Sequence, residues 1–224
     1  MSNVLFVVTG ARSWTLSDGS THPTGYWAEE LLTPYRLLTE AGHDVVFASP
    51  DGVPPVADEG SLTGDDKARD AIAAIPDLQS PRRLDEVDLA EIDAVFYPGG
   101  HGPMEDLAVD ATSGALLADA LEADKPVALV CHGLAALLAA RRTDGTLVAA
   151  GRTVTAFTDE EERQGGLAEK APWLLETTLR EQGVTVDTAE PWADHLVEDG
   201  NLVSGQNPQS SASVARALLR RLEA

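Results

Sequence analysis

The chain predicts an α/β fold, a mostly parallel sheet covered by helices on both faces, and three observations carry it. Short runs of Val, Leu, Phe and Ala recur at 4–9, 45–48, 94–97 and 126–130, and an apolar run without polar alternation suits a strand buried on both sides. Between them lie stretches of helical period, each closed by Gly, Pro, Ser or Asp. Finally, 43% of the 224 residues are apolar, enough for a full core, and no repeat or linker divides the chain, so 1–224 reads as a single domain.

In order, 4–9 is the first strand. A polar loop over 10–25 leads to a helix from about 27 to 41, stopped at Gly42. Pro34 inside it predicts a kink or a late first turn. Residues 45–48 form the second strand, and 53–88, rich in Pro, Gly and Asp, holds one short helix near 66–74. The third strand, 94–97, runs into Pro98-Gly99-Gly100-His101-Gly102, and 112–123 is an amphipathic helix. The buried strand that follows ends at Cys131, and the Leu/Ala-rich stretch after Gly133 predicts a helix. Beyond Arg142, 147–156 reads as a hairpin turning near Gly151, 172–181 as a helix and 184–186 as extended chain. A hairpin at 195–204 turns at Asp199-Gly200, and a helix at 211–222 closes the chain. The hairpins are expected to extend one edge of the sheet.

Charge narrows the function classes. Thirty-seven acidic and 16 basic residues give a net charge of −21, which repels phosphate backbones and anionic lipid. Nucleic-acid and membrane roles are therefore disfavoured. No apolar run reaches the ~20 residues of a bilayer span, and the start of the chain lacks a signal peptide's basic flank. A single cysteine permits no internal disulfide, and a free thiol fits a reducing, cytoplasmic setting. The acidic, lysine-poor composition fits either a high-salt cytoplasm or a GC-rich genome with an ordinary acidic proteome.

Cys131 is the most informative residue. A tight strand-to-helix corner, Cys131-His132-Gly133, lifts its side chain toward the carboxyl edge of the sheet, where free N–H groups of a helix start favour thiolate. That is a nucleophile elbow with sulfur in place of hydroxyl; a small buried hydrophobe is the alternative. Gly99, Gly100, His101 and Gly102 reach the same edge, and their backbone, with the N–H of His132, suits an oxyanion hole. Glu30 falls on the inward stripe of its helix with Leu38, whereas Glu29 is rotated away. An inward carboxyl needs a partner or must stay protonated, and facing Cys131 it would move protons at a sulfur-bound carbon. Trp14 and the loop over 13–25, with Tyr26 and Trp27, are candidates for the pocket wall, and Trp192 and His195 for its rim. The sequence has neither a Gly-x-Gly-x-x-Gly loop nor a Walker lysine motif.

Taken together, the stretches 24–30, 48–52, 97–104, 130–133, 154–162 and 205–211 resemble the ThiJ/PfpI superfamily, in particular its branch of cofactor-independent glyoxalases and heat-shock-type chaperones. The resemblance implies a flavodoxin-like, class I glutamine amidotransferase-like fold. It places the family's cysteine on Cys131, histidine on His132, helix glutamate on Glu30 and oxyanion glycine on Gly100. An acidic residue that orients the histidine falls on Glu162 by its spacing from Phe157, although 159–162 also reads as a solvated acidic face. Leu134 stands where relatives often carry proline, and the zinc-site histidines of larger relatives have no match, so no metal is expected. The implied reaction converts a small 2-oxoaldehyde such as methylglyoxal to a 2-hydroxy acid through a Cys131 hemithioacetal, with neither glutathione nor nicotinamide. A homodimer is a further expectation. Competing readings are a Cys131–His132–Glu162 amidase, peptidase or deglycase, and a chaperone or a thiol sensor that oxidises to sulfinate.

Overall fold

The apolar runs become adjacent strands of one sheet. In the computed structural model, which describes residues 1–223, β1 (Asn3–Val7) is followed by the short strands β2 (Ser13–Thr15) and β3 (Thr21–Pro23) and by helix α1 (Ala28–Glu40). Next come β4 (Asp44–Ser49), α2 (Asp66–Ala73), α3 (Pro76–Gln79) and β5 (Arg82–Arg83). The central part contains β6 (Ala94–Tyr97), α4 (Gly102–Glu105), α5 (Ala111–Glu122) and β7 (Val127–Val130). Then follow β8 (Thr153–Val154), α6 (Asp159–Gly165), α7 (Leu175–Glu181) and β9 (Thr185–Val186). The hairpin β10 (Leu196–Asp199) and β11 (Leu202–Gly205) leads into α8 (Ser211–Leu222).

Seven strands lie in the order β10-β11-β7-β6-β1-β4-β5, all parallel except β10, which pairs antiparallel with β11 at the edge. Alternate residues of each inner strand feed opposite layers, which is why both faces had to be apolar. Leu5 and Val7 join one core and Val4 and Phe6 the other; in β7, Val127 and Leu129 oppose Ala128 and Val130. Leu31 and Leu38 of α1 and Val214 and Leu218 of α8 cover the second layer, where Phe6 stacks on Phe96 at 4.7 Å. Leu116 and Leu117 of α5, with Leu134 and Leu137, cover the first. Each such side chain contributes about 1.5–3 kcal/mol by leaving water.

Local departures have local causes. The polar loop over 10–25 contains the β2–β3 hairpin, whose three-residue strands are too short to show a period. The expected hairpin at 147–156 does not form. Arg142 donates to the carbonyls of Leu147 and Val148 at 2.7 and 2.8 Å, satisfying acceptors that a strand partner would otherwise take, and β8 pairs in parallel with β9 instead. The segment after the cysteine is a 3₁₀ helix, Cys131–Leu138, rather than an α-helix. Pro34 lies within α1, which continues through it to Glu40.

Candidate active site

The strands β6 and β7 are neighbours, so the loops that leave their carboxyl ends meet. Cys131 follows β7 with φ of 58°, a left-handed backbone that side chains rarely adopt. In a regular strand Cys131 and His132 would point to opposite faces. The strained corner turns them toward each other, with Sγ 3.3 Å from His132 Nδ1. His132 Nε2 lies 2.8 Å from Glu162 Oε2, and the other oxygen of Glu162 lies 3.0 Å from His101 Nε2. Aromatic rings fix both imidazoles: Phe157 packs on His132 at 4.3 Å, and Trp14 stacks on His101 at 5.1 Å.

Titration follows from this packing. Burial pushes the Glu162 carboxyl up, but hydrogen bonds from His101 and His132 outweigh it and hold the group far below the usual carboxylate range. As an ionised, acceptor-only group, Glu162 requires a proton on His132 Nε2. That leaves Nδ1 as an acceptor facing the thiol. Burial, assisted by His101, lowers His132, so the imidazole is neutral near pH 7. Burial first, and the charge of Glu30 second, push the Cys131 thiol well up, against a backbone hydrogen bond from His132. The expected lowering at a helix start is therefore corrected: the corner opens a 3₁₀ helix and the sulfur is enclosed, so the resting group is a thiol that must hand on its proton.

Glu30 sits on the buried side of α1 and Glu29 on the exposed side, as the helical period requires. The start of α1 is tied to the glycine loop by Trp27 N–H donating to the Gly99 carbonyl at 2.9 Å. Gly99 N–H in turn donates to Glu30 Oε2 at 2.7 Å. A Cβ on Gly99 would lie 2.6 Å from that oxygen, and one on Gly100 would lie 2.5 Å from the Gly25 carbonyl, so both close approaches demand glycine. Burial raises the Glu30 carboxyl to about 8, opposed by the neighbouring Cys131 thiol and by the Gly99 N–H hydrogen bond. Its second oxygen, Oε1, is buried without a hydrogen-bond partner, and the Cys131 thiol is the titratable group set against the carboxyl.

Cys131, His132, His101 and Glu162 open into a cavity of ≈ 300 Å³ whose wall also includes Trp27, Gly100, Phe157 and Trp192, with Glu30 buried behind the sulfur outside that lining. A larger groove of ≈ 840 Å³ between α1 and α2 contains Glu29 but none of this chemistry. Several sequence-based expectations need correction. Tyr26 is fully buried in the core beneath α1, because its backbone pairs with Val56 and Asp58 and turns the ring inward. Gly99 cannot serve as an oxyanion donor while Glu30 holds its N–H. Gly100, with φ of 91°, lines the cavity, and its N–H has no acceptor among the described residues. His101 engages Glu162, Trp14 backs His101, and His195 stands apart with Nε2 3.4 Å from Asp187. The acidic run over 159–162 is only partly a solvated face, since Glu161 and Glu162 are buried.

Three functional-type side chains escaped sequence reasoning. His22 comes from β3 and Asp58 from the loop before α2, and their ligating atoms lie within 4.8 Å of one on His101. Nothing in the spacing of residues 22, 58 and 101 announces this meeting. Glu161 had a readable signal, the capping box Thr158-x-x-Glu161.

A parallel α/β sheet with a strained Cys-His corner, an acidic residue behind the histidine and a buried glutamate facing the sulfur defines a class of cysteine-centred α/β proteins. The chain belongs to the DJ-1/PfpI family, whose family model matches residues 23–221. It is 33% identical over 236 residues to the glutathione-independent glyoxalase hsp3101 of Schizosaccharomyces pombe, covering 97% of this chain and 94% of that protein. It is 27% identical over 238 residues to the protein/nucleic acid deglycase HchA of Staphylococcus aureus, covering 98% and 79%. Among solved structures, the 24 kDa rapid encystment protein of Francisella tularensis superimposes with a TM-score of 0.90 at 29% identity, covering 99% of each chain.

Proposed function

We propose that this chain is a glutathione-independent glyoxalase that converts small 2-oxoaldehydes of the methylglyoxal type to 2-hydroxy acids. The observation that carries the reading is the Glu30 carboxyl, fully buried and raised to about 8, set against the Cys131 thiol, which itself lines the cavity. Such a group holds a proton at rest and exchanges it readily near neutral pH, which suits transfer between adjacent carbons. The reading is supported by the 33% identity to the glutathione-independent glyoxalase of fission yeast.

The steps balance as follows. Cys131 gives its proton to His132 Nδ1 while sulfur bonds the aldehyde carbon, and the new oxygen takes a proton from Glu30. The Glu30 carboxylate removes the hydrogen on that carbon, and His132 protonates the neighbouring carbonyl oxygen to give an enediol. Glu30 then delivers its proton to the second carbon, while the first hydroxyl loses its own to His132, leaving a thioester. Water cleaves it: hydroxide joins the acyl carbon, its proton returns to Glu30, and sulfur recovers a proton from His132. Oxidation of one carbon is matched by reduction of the next, so no external redox agent takes part. The free N–H of Gly100 is the donor we assign to the developing oxyanion.

Proton NMR of methylglyoxal with the purified chain is expected to show lactate without glutathione or nicotinamide. Cys131→Ser and Glu30→Gln should each lose roughly 10²–10⁴-fold in rate. One observation favours a second reading: Cys131, His132 and Glu162 are in line as a hydrolytic triad. Release of product from a chromogenic amide or a glycated peptide, with no lactate from methylglyoxal, would reverse the assignment.

A further inference from the structure

We infer that His22, Asp58 and His101 form a binding site for a first-row divalent metal ion at the mouth of the Cys131 cavity. Two imidazoles and one carboxylate present ligating atoms within 4.8 Å of one another, and all three residues line that cavity. A tetrahedral ion with bonds of about 2.1 Å needs its ligands about 3.4 Å apart, so modest side-chain rotation closes the set. His22 is free to make that rotation, because it is partly exposed and its ring makes no hydrogen bond among the described residues. Its ring meets that of His101 edge-on at 5.7 Å.

The outer shell is already in place. Thr24 Oγ1 donates to Asp58 Oδ2 at 2.7 Å and Gly60 N–H donates to Oδ1 at 2.8 Å, leaving each oxygen a lone pair. His101 is held by the Trp14 ring on one side and by Glu162 at Nε2. A carboxylate behind a ligating histidine raises its basicity and fixes its orientation. The nitrogen-rich donor set selects an ion such as zinc over magnesium or calcium, which require oxygen. Three protein ligands leave a fourth position open. An ion held there shares the cavity with the Cys131 sulfur, and it adds positive charge to the imidazole that shares Glu162 with His132. The site therefore couples metal availability to access at Cys131.

The test needs no turnover, so its failure and the failure of the glyoxalase reading are separate events. Zinc chloride is titrated calorimetrically into the full, tag-free chain after chelator treatment. One equivalent is expected to bind wild type and Cys131→Ser alike. His22→Ala and Asp58→Asn should each weaken binding by at least about tenfold, and Thr24→Val, which removes only an outer partner, by roughly tenfold. Circular dichroism confirms that each variant is folded, and the surface position of His22 keeps at least that variant informative. Cobalt substitution adds a spectroscopic check: d–d bands without a sulfur charge-transfer band place the ion on nitrogen and oxygen. Zinc should also slow alkylation of Cys131 by iodoacetamide in wild type but not in Asp58→Asn. Wild type that binds no zinc, Asp58→Asn and His22→Ala that bind as tightly as wild type, or affinity lost in Cys131→Ser would each overturn the assignment.

Discussion

At Glu30, one carboxyl couples catalysis to stability. Burial raises it from the ordinary 4.5 to about 8 in the folded chain, so between those values the native state keeps a proton that the unfolded state has released. Stability then falls as pH rises, because the unfolded state gains from ionisation that the buried group is denied. The loss begins near pH 4.5, accumulates to pH 8 and is constant above it. Its full size is on the order of a few kcal/mol. Glu30→Gln keeps an oxygen for Gly99 N–H and cannot ionise, so its melting temperature should gain on wild type from pH 5 to pH 8 and hold a constant lead above that. Parallel curves for the two proteins across that range would show that Glu30 is not buried as a proton-bearing group. The Glu30 group should also set the alkaline limb of the rate: the reaction starts from its protonated form, so turnover falls as pH rises through about 8, and the residual activity of Glu30→Gln lacks that limb.

At the level of elements, α6 performs two tasks through adjacent residues. Glu162 faces the two histidines, while Glu161 points into the protein and ties three segments together. Its Oε2 accepts from Thr158 N–H and Oγ1 at 2.9 and 2.8 Å; its Oε1 accepts from Trp192 N–H, Gln206 and Asn207 at 2.8, 3.1 and 2.8 Å. Trp192 thereby stands as a cavity wall with φ of 64°, its ring edge-on to Phe157 at 5.5 Å. Glu161→Ala removes the acceptor of five hydrogen bonds, although the Gln206 and Asn207 amides keep the Glu190 and Ala193 carbonyls, and should cost about 3–5 kcal/mol, read as a lowered urea midpoint, with Trp192 fluorescence shifting toward that of exposed indole. An unchanged midpoint would mean that the contacts are replaced at no cost.

This arrangement also marks how far the sequence could be read. Buried strands 94–97 and 127–130, helix 211–222 and the Cys131 corner were legible because each rests on local period and turn chemistry. The pairing of β8 with β9 was not, since a two-residue strand carries no period and its partner lies more than thirty residues on. The partner of Asp58 was hidden in the same way, in a Pro- and Gly-rich stretch whose path only the fold decides. Glu30 lay between these extremes. Its burial could be read from the face of its helix, but its proximity to Cys131 depends on which loops meet at the sheet edge.

Across the whole molecule, charge is the dominant long-range term. The ion pairs that form are mostly at the surface; Arg83 alone gathers three acids, Asp51, Asp85 and Glu86, while Glu198 is shared by Arg220 and Arg221. Pairs of this exposure contribute little individually. With 37 acidic residues against 16 basic, pairing cannot remove the excess, and a net −21 is confined to a surface of 9353 Å². Unfolding moves these charges apart, so self-repulsion favours the unfolded chain whenever screening is weak. At 0.01 M salt the Debye length is about 30 Å, comparable with the molecule; at 1 M it is about 3 Å, shorter than most distances between surface charges. Potassium chloride is a suitable probe because it screens without the strong surface exclusion of sulfate or phosphate. At fixed pH 7, raising it from 0.01 to 1 M should shift the urea midpoint upward by about 0.5 M or more, with most of the gain complete once the Debye length falls below 10 Å. A midpoint that does not move, measured at constant slope, would show that the acidic side chains are spaced widely enough for water alone to screen them. The composition would then reflect coding bias rather than adaptation to a saline interior.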